Sequence, residues 1–439
     1  MDSVNAIEQR VVRRMAWRIL PYLFVLYVVA YLDRVNVAFA KTEMMKALGF
    51  SEAVFGFGAG LFFLGYFLLE IPGALIVERW SARKWIARIL LSWGVCTVLI
   101  GFVQSAGQFY TMRFLLGAAE AGFFPGVIVY LTHWFPAKYR ARAMGAFILA
   151  VPLSFTMGAP ISGFILTMNW LDIPGWRWVF ILEGVPAILF GVITVFYLKD
   201  RPKDASWLDA EERRWLESEL EAEKRQKSGK MTAWRALRER NVLILAVALF
   251  VSNVGSSAFF MWLPETVQRV SGLAPVAASW FTAVPFLVGV FALMLVSASS
   301  DRTGKRKLHA AIAMMVCGLS FAASALFQQN FLWLMVCLSL TASGLFAATT
   351  SFWVLPTTSL GATAAATAVG LINSVGNLGG FFGPTLVGQI LTRQHSFPVA
   401  IVWIAGFLFF SGILILTVRE RRISELNPTL HQLETRTNV

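Results

Sequence analysis

Six ionisable residues stand inside long apolar runs: Asp33, Arg34, Glu70, Arg113, Glu120 and Glu183. At the middle of a lipid bilayer each would cost at least about 2.5–3.5 kcal/mol on the insertion scale, so each needs a watery cavity, a partner or a ligand. A carboxylate so placed can trade protons, because drying favours its protonated form and a neighbouring arginine favours its charged one. An arginine there presents a planar fork that matches a carboxylate. Asp33 and Glu120 are therefore candidate proton carriers, and Arg34 and Arg113 candidate anion-binding groups. Asp33 and Arg34 are neighbours, about 100° apart on a helix, so they cannot face the same way. Asn36 falls on the face of Asp33, whereas Arg113 and Glu120, two turns apart, share a face with Gly117 and Ala121 nearby. Interhelical ion pairs that lock the structure are the alternative for both acids.

Glu70 precedes Pro72, and Glu183 precedes Gly184 and Pro186, where it would gate or brace a helix. All six charges fall in the first half of the chain. The second half offers neutral candidates for holding a substrate: Asn253, Thr350, Trp353, and the amides Asn373 and Asn377, which lie four residues apart on one helix face. Tyr31 and Tyr66 in the first half could bond a carboxylate or hydroxyl. Polar packing contacts between helices are the alternative for these groups. The four histidines are scattered and the three cysteines lie in apolar runs, so no metal site, nucleophile–base pair or disulfide framework is expected. Neither enzymatic activity nor a bound cofactor is expected.

The elements that must position these residues follow from composition. The 439 residues are 57% hydrophobic and only 14% charged, which excludes soluble and disordered classes. At about 20 residues per crossing, the apolar content suffices for about twelve helices. Spans are expected near 19–40, 53–77, 86–103, 109–132, 143–168, 176–198, 241–264, 276–299, 308–328, 332–355, 361–391 and 398–418. With both termini cytoplasmic, 31 of the 38 Lys and Arg residues fall on the inner side, so the net charge of +13 reflects topology and not nucleic-acid binding. The expected class is an all-α membrane protein of two pseudo-symmetric six-helix bundles. Residues 1–198 form the first bundle, 199–240 a cytoplasmic linker with an amphipathic helix, 241–418 the second bundle and 419–439 a cytoplasmic tail. Ser206 or Asp209 would cap the linker helix.

Internal repetition supports this division. ERWSARK (Glu78 to Lys84) is answered by DRTGKRK (Asp301 to Lys307), and Gly145 and Gly163 are answered by Gly370 and Gly388 at an offset of 225. Parallel repeats of this kind build transporters with a central site between the halves. The two polar loops resemble the signature of the major facilitator superfamily, although Glu78 and Ser81 replace its usual Asp and Gly. Within that superfamily YLDRVN, GYFLLEIPG, RFLLGAAEAGFFPG, WFPAKYRARAMG and GWRWVFILEGVPA resemble the anion:cation symporter family, with the tartrate-transporter-like group nearest in flavour.

The resemblance implies a proton-coupled symporter that imports a small organic carboxylate, such as a tartrate-like hydroxy acid, a sugar acid or an aromatic acid, by alternating access. It implies proton coupling at the acid of the Asp33-Arg34 pair and at Glu120. It also casts Glu78, Arg79, Arg83, Asp301, Arg302 and Arg306 as cytoplasmic latches. A multi-pass monomer in the bacterial inner membrane, driven by the proton gradient, is expected. An organic-anion exchanger or a drug/proton antiporter stays open, since Gly158 to Gly163 fits the antiporter pattern loosely, as does a nutrient sensor that does not transport.

Overall fold

A computed structural model describes residues 2–226, 238–356 and 362–419, except for the side chains of residues 2–5, 71, 74, 75, 78, 79, 141, 224, 226 and 362–367. Leucine, phenylalanine and alanine runs give long helices, seven of them with a proline inside, and no strand is found among the described residues. The first half of the chain contains α1 (Asp2–Leu48), α2 (Glu52–Arg79), α3 (Ala82–Ile100), α4 (Ala106–Glu120), α5 (Phe123–Trp134), α6 (Ala137–Ile148), α7 (Ala150–Ile165) and α8 (Gly175–Tyr197). A linker helix follows, α9 (Ala210–Gln226). The second half contains α10 (Arg240–Ser271), α11 (Pro275–Thr303), α12 (Arg306–Ser324), α13 (Phe331–Phe352), α14 (Ala362–Gln394) and α15 (Phe397–Leu416). Ten stretches are long and apolar enough to cross a membrane among the described residues, with α4–α5 and α6–α7 each counting as one. The helices α3 and α14 pack among them where spans 3 and 11 are expected.

Three expected spans differ from the helices observed. Span 1 belongs to a 47-residue helix that starts at Asp2, because the arginine-rich N-terminus continues the helix far beyond bilayer thickness. Span 4 is broken between Glu120 and Phe123, where Gly122 takes φ +86°, a conformation open to glycine at no steric cost. Span 5 is divided at Leu149 into α6 and α7.

Within the first half α3 packs on α8, α2 on α4, and α1 on α7 and α8. Within the second, α10 packs on α14, α12 on α13 and α15, and α11 on α13. The halves meet along α2 and α14, α7 and α11, and α1 and α10. These seams are close: a Cβ on Gly56 would lie 2.2 Å from the carbonyl oxygen of Pro384. Both described ends of the chain and the linker helix share one end of the molecule. Arg10 and Arg14 pair with the buried Glu212 of α9 at 3.0 and 2.6 Å, and Asn241 donates to the carbonyl of Arg419 at 2.8 Å.

Asp209 caps α9 as its sequence suggests, accepting from the amides of Glu212 and Glu211 at 2.8 and 3.1 Å, while Glu212 accepts from the Asp209 amide. The bond from the Glu212 amide, together with Arg10 and Arg14, holds the Asp209 carboxyl below the usual carboxylate range.

Candidate functional site

A cavity of about 280 Å³ lies between the halves. The first half lines it with Tyr31, Arg34, Tyr66 and Arg113, and the second with Asn253, Trp353, Asn373 and Asn377, so eight of the expected substrate-binding residues come together. The ninth, Thr350, does not line it: its hydroxyl donates to the Ala347 carbonyl, and Thr349, one residue and about 100° around α13, faces the cavity. The expectation chose the wrong member of a Thr-Thr pair, which a residue count alone cannot orient. Ser252, Ser256 and Ser257 also line the cavity and had no distinguishing signal in an apolar run.

The charges are arranged more finely than their spacing suggests. Arg113 and Glu120 share α4, yet Glu120 pairs with Arg34 across to α1, at 2.5 Å to Nη2 and 2.6 Å to Nε. This carboxylate closes α4, immediately before the break at Gly122. Arg34 also lies over the rings of Tyr31, Phe62 and Tyr66 at 4.8, 5.6 and 5.1 Å, a setting that suits a delocalised cation. Arg113 is fully buried and makes no ion pair among the described residues. Its Nη2 donates to the Ala59 carbonyl at 3.3 Å, and its Nε and Nη1 have no hydrogen-bond partner. Arg34 is thus ion-paired, whereas Arg113, within electrostatic reach of Glu120, has no direct ion-pair partner among the described residues.

Asp33 is buried but points away from the cavity, into the first half, where it accepts from the Trp93 indole and from Asn36 at 3.3 Å. Trp93 on α3 was missed by the sequence reading; its only signal is an indole N–H in an apolar helix, which needs an acceptor. Glu183 on α8 accepts from Ser162 of α7 at 2.6 Å, with its second oxygen unpartnered, well inside the first half. Glu70 crosses to the other half, where Asn373, Ser374 and Asn377 donate to it.

Beyond the cavity, away from the chain ends, the halves are closed. Buried Lys41 pairs with Glu52 at 2.8 Å and with Glu265 across the seam, and the Trp262 indole donates to Glu52 at 3.2 Å. Lys41 and Glu265 each fall one residue beyond an expected span, 19–40 and 241–264, where solvation would have sufficed for each. Phe155 of α7 stacks on Phe260 of α10 with ring centres 4.5 Å apart and lies against Phe286 and Phe346, so aromatic rings also cross between halves.

The expected latch residues sit at the opposite end. Arg83 pairs with Asp200 at 3.7 Å and donates to the Val195 carbonyl, and Asp301 pairs with Arg306 at 3.4 Å. The first pair joins the first half to the start of the linker and the second stays within the second half, so neither crosses between the halves. Ser81 caps α3 and donates to Asp200 at 2.7 Å, so the serine in place of the signature glycine takes part in the turn. Arg302 is exposed, and the side chains of Glu78 and Arg79 lie outside the described ones.

Known proteins share this architecture. Residues 23–384 match the model of the Major Facilitator Superfamily. The chain is 42% identical over 419 residues to an Agrobacterium vitis protein named "Putative tartrate transporter", covering 94% of this chain and 92% of that one. It is 36% identical to a "Quinolone resistance transporter" of Acinetobacter baumannii, covering 93% of each. A bacterial homolog of the human lysosomal transporter Spinster, solved in an inward-facing and occupied conformation, superposes with a TM-score of 0.75 at 17% identity, covering 91% of this chain and 96% of that one. With its helices packed in two halves around a central cavity and a superfamily match over most of its length, this chain belongs to the major facilitator superfamily.

Proposed function

We propose that this protein is a proton-coupled symporter that imports a small organic carboxylate by alternating access. The observation that carries the reading is Arg113: a fully buried guanidinium in the cavity wall, with two nitrogens that have no hydrogen-bond partner and no ion pair among the described residues. Burying an arginine without a counter-ion is costly unless a ligand supplies the anion. The substrate carboxylate seats on Arg113, while the amides and hydroxyls of the second half receive its hydroxyls.

The pair between Arg34 and Glu120 supplies the coupling. Protonation of Glu120 weakens its hold on Arg34 and leaves a second guanidinium for the incoming acid, so anion and proton enter together. Asp33, adjacent to Arg34 but facing Trp93, serves as a second proton-carrying acid behind the site. The substrate class is a tartrate-like hydroxy acid, a sugar acid or an aromatic acid, in line with the name of the relative at 42% identity. The proton gradient is the only driving force, the protein works as a monomer in the cell inner membrane with both termini cytoplasmic, and Glu183 braces or gates α8 against α7.

Uptake into proteoliposomes with an alkaline interior, set beside liposomes without a gradient, tests the reading with tartrate, galactonate, phthalate, hydroxyphenylacetate and a neutral sugar. Gradient-dependent accumulation of an acid and none of the sugar is expected. Counterflow without proton movement would favour an exchanger. A drug/proton antiporter is the second reading, favoured by the Phe155, Phe260 and Phe346 rings at the cavity and by the quinolone-resistance relative; quinolone extrusion without acid uptake would establish it.

A further inference from the structure

The transport cycle above leaves one buried carboxylate of the first half unused. Glu70 lies one turn beyond Tyr66 on α2, but Tyr66 lines the cavity and Glu70 does not. Its side chain, 5% exposed, spans the seam between α2 and α14. One carboxylate oxygen accepts from the Asn373 amide, and the other accepts from Ser374 at 3.3 Å and Asn377 at 3.1 Å. Glu70 makes no ion pair among the described residues. The two α14 amides that belong to the cavity wall are therefore bonded to a carboxylate from the opposite half. Elsewhere this seam is close packing: Gly56 meets Pro384, and Gly380 meets the Phe63 ring.

A set of donors that holds one carboxylate is chemically fit to hold another oxygen-rich group. We propose that Glu70 is a built-in competitor of the substrate: before substrate binds, it occupies Asn373, Ser374 and Asn377 and ties α2 to α14, and the incoming hydroxy acid takes over Asn373 and Asn377 and releases the tie. This rests on the organic-acid reading above. Substrate arrival and loosening of the α2–α14 seam then become one event. Part of the substrate's binding energy displaces Glu70, so apparent affinity is reduced in proportion to the fraction of molecules in which the tie is not made. Glutamine keeps the shape of Glu70 but gives a weaker tie, because hydrogen bonds to an ionised acceptor are roughly twice as strong as neutral ones.

The test is calorimetric titration of the purified full-length protein with tartrate, galactonate, phthalate and hydroxyphenylacetate, repeated on Glu70→Gln and Glu70→Ala. The acid that binds the unmutated chain should bind both variants at least about threefold more tightly, as expected when a competing internal state is removed. Asn373→Ala should weaken binding in either background. Equal or weaker affinity in both Glu70 variants overturns the competitor role and leaves the organic-acid reading standing, whereas no binding of any acid to the unmutated chain overturns both. If neither variant folds, amide exchange on the unmutated chain decides: the bound acid should speed exchange over residues 66–79, and unchanged or slower exchange contradicts the proposal.

Discussion

Facing the cavity from the first half are Arg34 and Arg113, with Glu120 bonded to the former; facing it from the second are Asn253, Thr349, Trp353, Asn373 and Asn377. Both halves are helix bundles, yet one handles charge and the other supplies neutral donors and rings. The difference teaches how such a molecule can couple two solutes with few parts. On the proposed reading, exchange of Arg34 between Glu120 and a substrate stays inside one half, so it needs no relative motion of the bundles. Contacts across the cavity then report to the second half that the site is filled. The second half tolerates its amides because they find partners: the Asn253 amide donates to the Gly376 carbonyl at 3.0 Å, and Asn373 and Asn377 reach Glu70.

The variant expected to break this division most severely is Arg113→Ala. Removing one partner of a buried charge contact costs about 2–5 kcal/mol, which is roughly 30-fold to several thousand-fold in affinity. Acid binding by calorimetry should fall by that factor, and Arg113→Lys, which keeps the charge without the fork, should fall between the two. Glu120→Gln should abolish accumulation driven by a pH gradient while counterflow of labelled acid continues. Asp33→Asn should reduce accumulation less, since Asp33 faces Trp93 and not the cavity.

Changes in the second half should alter selectivity more than driving force. Thr349→Val should weaken a hydroxylated acid by about tenfold, the low end expected when one neutral donor or acceptor is lost, and should hardly affect a deoxy analogue, as competition assays would show. Gly56→Ala places a methyl against the Pro384 backbone, and overpacking of this kind costs about 1–3 kcal/mol. It should slow turnover with a smaller change in substrate affinity. The smallest effect concerns the linker. Because the native Asp209 carboxyl titrates below its ordinary value, its contribution to docking of α9 is complete above the usual carboxylate range near 4 and is lost as the pH falls through the lowered value. Limited proteolysis of the linker should therefore be flat from pH 5 to 8 and rise only below it.

Architecture and charge inventory were legible in the sequence because both follow from one-dimensional rules. Apolar length sets the spans, and an ionised group in an apolar run draws notice wherever it points. Partnerships between helices were not legible. Spacing placed Arg113 with Glu120 on one helix, but the break at Gly122 and the approach of α1 gave Glu120 to Arg34. The NSVGN amides were found by their four-residue separation, while their bond to Glu70, some 300 positions away, depends on the packing of α2 against α14. Lys41 and Glu265 stand just past the ends of two expected spans, and only the closed seam reveals them as one ion cluster with Glu52.

The central claim is that the carboxylate displaces Glu120 from Arg34 and that Glu120 takes a proton as it lets go. Proton uptake on binding tests this most directly, with purified protein in weakly buffered solution near neutral pH and the acid identified by the uptake panel added at saturation. The account predicts net uptake of about one proton per acid bound, abolished in Glu120→Gln although that variant still binds. Binding by the unmutated chain with no change in proton count, or equal uptake in Glu120→Gln, would contradict it.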